Sequence, residues 1–207
     1  LLGQFSHLGI TVANARSPIT ESLSSIQSKA LKGDPHYQGI LALFHKFGER
    51  GLAIDLQESE RWAKMSAEKE GAIGLCVLAA LSLEKGEANR GQFLYDEAYL
   101  HSNLLALAKG KDPLAMYCLG MIEMDNPPRN FTKAVRHLEA SAEKGFATAQ
   151  ATLGMIYFTG IGVKKNSDTA IKWCSRAARV KLPLGMFYLG MAYSIGDSVE
   201  QNDDYAI

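Results

Sequence analysis

The chain has 207 residues, of which 47% are hydrophobic, and its 22 basic residues balance 22 acidic ones. It can bury a large core. Its zero net charge, with no run of more than two Lys or Arg residues, indicates neither a nucleic-acid surface nor a patch for anionic membranes. The longest apolar stretch, residues 72–83, is much shorter than the roughly 20 residues that cross a bilayer, so we expect no membrane insertion.

From the N-terminus, the chain divides into units of about 36 residues, each predicted to be two helices joined by a turn. Residues 1–33 form a weak first unit that includes Leu2-Gly3. Residues 34–71 form a clearer one, in which Gly51 and Trp62 have the spacing of Gly162 and Trp173. In its second helix, Asp55 and Glu58 resemble a capping box.

The next two units match less completely. In residues 72–110, Cys76 is the nearest match to a glycine of the first helix, and the second helix is predicted to run through Ala98, His101 and Ala106. In residues 111–145, the first helix contains Leu119-Gly120 and is predicted to end before Pro127-Pro128.

Residues 146–181 form the clearest unit. Its first helix carries one face at helical spacing, made of Ala149, Leu153, Gly154 and Tyr157. Gly160 and Gly162 are predicted to break that helix, and Ser167 or Asp168 to cap the next one. Residues 182–207 form an incomplete last unit, because the sequence stops soon after Asp204.

A tripeptide marks this periodicity. Leu-Gly-Met begins at Leu119, Leu153 and Leu189. A period of this size is typical of a solenoid, in which each unit buries its apolar face on its neighbours. No segment shows the alternation of a strand, so the sequence predicts one all-α superhelical domain over residues 1–207.

The pattern A-x-x-x-L-G-x-x-Y-x-x-G-x-G-V, followed by D-x-A-x-x-W-x-x-x-A-A, resembles the Sel1-like repeat, a relative of the tetratricopeptide repeat. The match is strong in 146–181 and fair in 34–71 and 111–145, whereas 1–33 and 72–110 lack the Tyr. The resemblance implies a right-handed α-solenoid of antiparallel helix pairs that serves as a scaffold for protein–protein contacts. It implies no catalytic activity, since solenoids host many functions.

Two Ser-x-x-Lys matches, Ser66 with Lys69 and Ser141 with Lys144, offer an alternative, because this is the nucleophile motif of penicillin-recognising enzymes. One cysteine-rich branch of the Sel1-like family has been linked to penicillin binding. Both matches fall at the same place in their units, however, and no Lys-Thr-Gly or Ser-Asp-Asn follows. We therefore predict a helix-packing role for both and no catalytic residue.

Neither a cofactor nor a metal site is predicted. Gly160 and Gly162 follow a helix without the Gly-Lys-Ser/Thr of a phosphate loop. The five histidines form no i, i+4 pair around an acid, the arrangement typical of zinc sites. The three cysteines, Cys76, Cys118 and Cys174, do not recur in register, so we expect buried free thiols. Free thiols weakly favour the cytoplasm, and no signal peptide is visible.

The candidate site is an apolar stripe on the first helices. On a helical wheel, Met155 lies about 200° and Phe158 about 140° from Leu153, away from the packed face. In this type of solenoid the first helices line the concave side, by resemblance. We call these residues and their equivalents the helix A stripe: Tyr117, Met121, Met124, Ala151, Met155, Phe158, Phe187 and Met191.

The leading hypothesis is a non-enzymatic adaptor that binds a protein or peptide along this stripe, because Met and aromatic side chains are adaptable anchors. Alternatively, tight winding of the superhelix buries the stripe between neighbouring repeats. A third hypothesis is a structural segment of a longer solenoid. It predicts end-to-end association, because neither end carries a polar cap.

Overall fold

The computed structural model describes residues 20–195, which form α-helices joined by short turns and contain no strand. The helices are α1 (Leu23–Leu31), α2 (Pro35–Phe47), α3 (Leu56–Ala67), α4 (Ala72–Glu84), α5 (Ala88–Asp96), α6 (Leu104–Lys109), α7 (Pro113–Asp125), α8 (Phe131–Glu143), α9 (Ala147–Thr159), α10 (Ser167–Arg179) and α11 (Pro183–Ile195). A 3₁₀ turn (Glu49–Gly51) follows α2, and a π-helical turn (Glu97–His101) follows α5. The predicted features at Leu2-Gly3 and Asp204 lie outside the described residues.

The helices pack as an α-solenoid, as the period predicts. Each first helix pairs with the second helix of its own unit, as α2 does with α3, α7 with α8 and α9 with α10. First helices also pack on the first helix of a neighbouring unit, α2 on α4 and α9 on α11. This stacking buries one continuous core, which runs from Ile26 in α1 to Ile156 in α9.

Short polar residues cap several of the helices. Asp34 and Asp112 cap α2 and α7, and each is followed by a proline at the first helical position. Asp55 caps α3 as predicted, accepting from the Glu58 N–H at 2.9 Å. The second bond of a capping box is absent, because the Glu58 carboxylate pairs with Arg61.

The predicted cap of α10 was wrong by one residue. Asn166, rather than Ser167 or Asp168, is the N-cap, and its side chain accepts from the Thr169 N–H at 2.9 Å. Asn166 has the extended backbone of a capping residue, whereas Ser167 already belongs to the helix.

The predicted second helix of residues 72–110 is interrupted. The chain leaves α5 through the π-helical turn, becomes extended at Ser102 and resumes a helix at Leu104. This unit is longer than its neighbours, and a π turn accommodates additional residues without losing the helical direction. Ala98 and Leu104 are still fully buried, so the segment around the interruption still packs against the rest of its unit.

Glycines allow the helices to approach closely. A Cβ atom on Gly154 would lie 2.1 Å from the Cys174 Sγ atom of α10, and one on Gly120 would lie 2.7 Å from Leu138 of α8. The Leu-Gly pair therefore sets the spacing between the two helices of a unit. Gly185 has the same role against the preceding unit, since its Cβ would lie 2.5 Å from that of Ala177.

All three cysteines are buried and free. Within residues 20–195 no helix combines the length and the apolar character that crossing a bilayer requires.

Candidate functional site

The first helices of the successive units surround a cavity of about 570 Å³. Most of the residues that line it belong to the first helices α2, α4, α7, α9 and α11, and Tyr95 comes from α5. We call it the central groove. Its apolar lining includes Leu43, Val77, Leu83, Met121, Met124 and Met155. Its volume falls in the range of about 300–1,000 Å³ that is typical of ligand pockets.

The charged groups of the groove balance one another. The Lys46 Nζ atom lies 2.6 Å from the Glu84 Oε1 atom, and Arg129 is near Asp125. The Tyr95 hydroxyl donates to the Asp125 carboxylate at 3.2 Å. Burial raises the pKa of Asp125 above its usual range. With two acids and two bases, the groove offers a neutral, mainly apolar surface.

Four residues of the helix A stripe line this groove: Tyr117, Met121, Met124 and Met155. Met121 and Met155 are half-buried and keep accessible surface. Tyr117 is 3% exposed and lies edge-on between Phe47 and Phe146, at ring-centroid distances of 6.1 and 5.3 Å. Tyr117 therefore forms part of the wall.

The structure separates the other four stripe residues from the groove. Ala151 is fully buried, in a small cluster with Ala147, Ala177 and Leu182, so it offers no surface. Phe158 lies 6.0 Å from the Tyr188 ring in α11. Phe187 is 60% exposed and Met191 is half-buried, both on α11.

Sequence reasoning missed the groove residues of the first two complete units, among them Leu43, Phe47, Val77 and Leu83. The repeat could have revealed Phe47. It lies as many residues before Phe158 as Gly51 lies before Gly162, so the two phenylalanines occupy equivalent positions of their units. In α4, apolar residues surround the helix, so no face is distinguished there.

Next to the groove lies a contact between units distant in sequence. The Glu49 Oε1 atom accepts from the Thr148 N–H at 2.8 Å and from the Thr148 hydroxyl at 2.6 Å. Glu49 is 5% exposed, and burial raises its pKa above the ordinary value of 4.5. Beside it, a Cβ on Gly48 would lie 3.3 Å from the Pro183 Cγ atom. Phe47 packs on the cluster formed by Ala151 and its neighbours.

The two Ser-x-x-Lys sequences hold helices together. The Ser66 hydroxyl donates to the Pro35 carbonyl at 2.6 Å, and the Ser141 hydroxyl donates to the Pro113 carbonyl at 2.5 Å. Lys69, the lysine of the first Ser-x-x-Lys sequence, donates to the Gly33 carbonyl. Each serine therefore ties the end of a second helix to the first residue of its own unit's first helix, which confirms the predicted packing role. Within residues 20–195 there is no group of three His, Cys, Asp or Glu residues that could hold a metal ion.

An all-helical solenoid of stacked helix pairs defines the class of helical-repeat proteins. Within that class, the Sel1 repeat family model matches residues 36–70, 113–146, 147–180 and 183–207, more than half of the chain. The chain belongs to the Sel1 repeat family, whose repeats are generally modules for protein interaction. Residues 72–110, where the motif had decayed, fall between the matches.

Two curated relatives are similar to the chain. The chitin synthase regulator SKT5 of Saccharomyces cerevisiae is 24% identical over 194 residues, 90% of this chain and 28% of that protein. The Sel1-repeat-containing protein YjcO of Escherichia coli is 24% identical over 160 residues, 74% of this chain and 68% of that protein. The chain thus spans well under half of the yeast relative.

A solved structure shares the fold. A Sel1 repeat protein from Klebsiella pneumoniae is 19% identical, has a TM-score of 0.54, and covers 88% of this chain and 87% of its own. This likeness supports the α-solenoid architecture.

Proposed function

We propose that the chain is a non-enzymatic scaffold that holds a segment of a protein partner by apolar side chains inserted into the central groove. The observation that carries the proposal is the groove itself, an accessible cavity walled by the first helices of successive units. Family membership supports it, because Sel1 repeats generally mediate protein contacts.

The chemistry of the groove specifies the occupant. Its thioether and aliphatic side chains can adapt to apolar partner side chains of different shapes. The balanced charges at Lys46, Glu84, Asp125 and Arg129 do not select for a charged segment. The cavity volume holds a few side chains, so we expect a short apolar segment to supply most of the binding energy.

The yeast relative is named as a regulator of chitin synthase. This agrees with a binding role for the present chain. The partial coverage of that relative leaves the identity of the partner to experiment.

Selection of short peptides from a display library, with the purified chain as bait, tests the proposal. Peptides enriched on the wild type should bind Met121→Asp and Met155→Asp at least about tenfold more weakly, because a carboxylate in an apolar groove must be desolvated. Binding is measured by calorimetry, after circular dichroism shows that each variant is folded. The matched control is Phe93→Asp, since Phe93 is 61% exposed and is not part of the groove.

Two outcomes would reject the proposal. If both Asp variants unfold while Phe93→Asp does not, the stripe belongs to the core. If the peptides bind the folded Met121→Asp and wild-type proteins equally, they dock elsewhere.

A further inference from the structure

The contact at Glu49 is unusual because it joins units that are not neighbours. Thr148 lies 99 residues after Glu49. In a simple solenoid each repeat contacts only the adjacent ones. Here the end of α2 reaches the first turns of α9 and α11, so the solenoid also has a contact between distant units.

Glu49 supplies what α9 lacks. The N-cap residue of α9 is Phe146, whose apolar side chain cannot accept a hydrogen bond from the first amides of the helix. The first amides of a helix have no partner inside the helix. The Glu49 carboxylate satisfies the Thr148 N–H and also faces the positive end of the helix dipole. It therefore caps α9 from another unit.

The backbone around Glu49 is shaped for this reach. Gly48 and Gly51, on either side of it, have φ values of 72° and 77°, and Arg50 has a φ of 58°. These left-handed residues turn the chain sharply after α2. The turn directs Glu49 inward, where it is nearly inaccessible.

We propose that Phe47, Gly48 and Glu49, packed against Thr148, Pro183 and Leu184, form a clasp that controls access to the central groove. The inference rests on the proposed function of that groove and adds its regulation. Phe47 and Leu184 belong both to the clasp and to the groove lining. Separation of α2 from α9 and α11 removes one wall, so a partner segment too large for the closed cavity can enter.

The reactivity of two buried thiols, Cys76 and Cys118, can report the opening of the clasp without a binding partner. Cys76 and Cys118 line the groove and are 4% and 1% exposed. Burial also raises the pKa of the Cys118 thiol well above its usual range, which keeps it poorly reactive in the closed form. Cys174 is equally buried, at 2% exposure, but it packs against Gly154 outside the groove. It serves as an internal reference.

The experiment measures alkylation of each cysteine by iodoacetamide in the native chain, by peptide mass spectrometry. Glu49→Ala should raise the labelling rates of Cys76 and Cys118 by about tenfold or more, because local opening then costs two fewer hydrogen bonds to a charged group. The Cys174 rate should stay unchanged. Glu49→Gln keeps the acceptor oxygen and should label no faster than the wild type.

Two further variants keep the test decisive. Thr148→Val removes only the hydroxyl donor and should raise labelling of Cys76 and Cys118 by a smaller factor. Glu143→Ala removes an exposed carboxylate that makes no contact with the clasp and should change nothing. Hydrogen exchange at the Thr148 amide should be slow in the wild type and fast in Glu49→Ala.

The clasp is rejected if Glu49→Ala and Thr148→Val leave Cys76 and Cys118 unchanged, or if both variants accelerate all three cysteines equally. A failed peptide selection would count against the proposed function alone, since the labelling experiment contains no peptide.

Discussion

At the scale of single residues, burial of the Glu49 carboxylate disfavours its ionised form, and the surrounding groups only partly offset this cost. The two bonds from Thr148 and the nearby Arg50 favour its ionised form, but burial disfavours that form more strongly and raises its pKa above 4.5. The folded chain therefore holds a proton at Glu49 more tightly than the unfolded chain does.

This difference predicts a pH dependence of stability. Between the ordinary pKa of 4.5 and the raised pKa, folding takes up a proton. The contribution of Glu49 to the free energy of unfolding is thus complete below 4.5 and is lost as the pH rises through the raised pKa. Glu49→Gln cannot ionise, so its stability relative to the wild type should increase from pH 4 to pH 8.

Urea unfolding of both proteins across this pH range measures the difference, and other titrating groups such as Asp125 cancel in it. A difference that stays constant with pH would show that Glu49 is not buried in solution.

At the scale of helices, the units that begin at α2 and α7 use the same devices. An aspartate before a proline begins α2 and α7, whereas Asp55, Asn130 and Asn166 begin α3, α8 and α10. A serine near the end of a second helix then donates to the carbonyl of that proline. These bonds fix the angle between the two helices of a unit, and glycines fix their distance.

Loss of one serine should therefore weaken the pairing of two helices. Ser141→Ala removes the hydrogen bond that ties α8 to the Pro113 carbonyl of α7, which should lower the free energy of unfolding by about 0.5–1.5 kcal/mol. Ser66→Ala should have an effect of similar size. Ser28→Ala, at an exposed position of α1, is the control and should change stability by less than about 0.5 kcal/mol. Urea unfolding is the measurement, and equal effects at all three serines would contradict this role.

At the scale of the whole molecule, the solenoid combines two kinds of interface. Neighbouring units pack through helices in sequence order, and the clasp joins distant units through Glu49 and Thr148. At α11 the described part of the chain ends in an apolar surface, with Met186 and Phe187 48% and 60% exposed. A contiguous exposed apolar surface favours association between molecules.

We therefore expect the 207-residue chain to associate end to end as its concentration rises. Light scattering and sedimentation should show a larger mean mass, and Met186→Lys with Phe187→Lys should reduce it. Leu100→Lys, which changes an exposed apolar residue on another surface, is the control. A monodisperse monomer at the highest attainable concentration would contradict the expectation.

The sequence by itself determined the repeat, the helical class and the family. Leu119-Gly120 and Leu153-Gly154 recur because close helix packing demands small residues at those places, and such local requirements are visible in any one unit. Helical spacing also placed Met121 and Met155 in the helix A stripe, and both line the groove, whose role as a binding site stays a prediction.

Only the tertiary structure decided how the units curve. The closure of α2 on α9 and α11 depends on small rotations added from unit to unit, which no local motif records. That curvature buried Ala151, brought Phe47 and Leu184 to the groove, and left Phe187 exposed. Glu49 carries no sequence signal, because its partner is defined by the sum of those rotations over 99 residues.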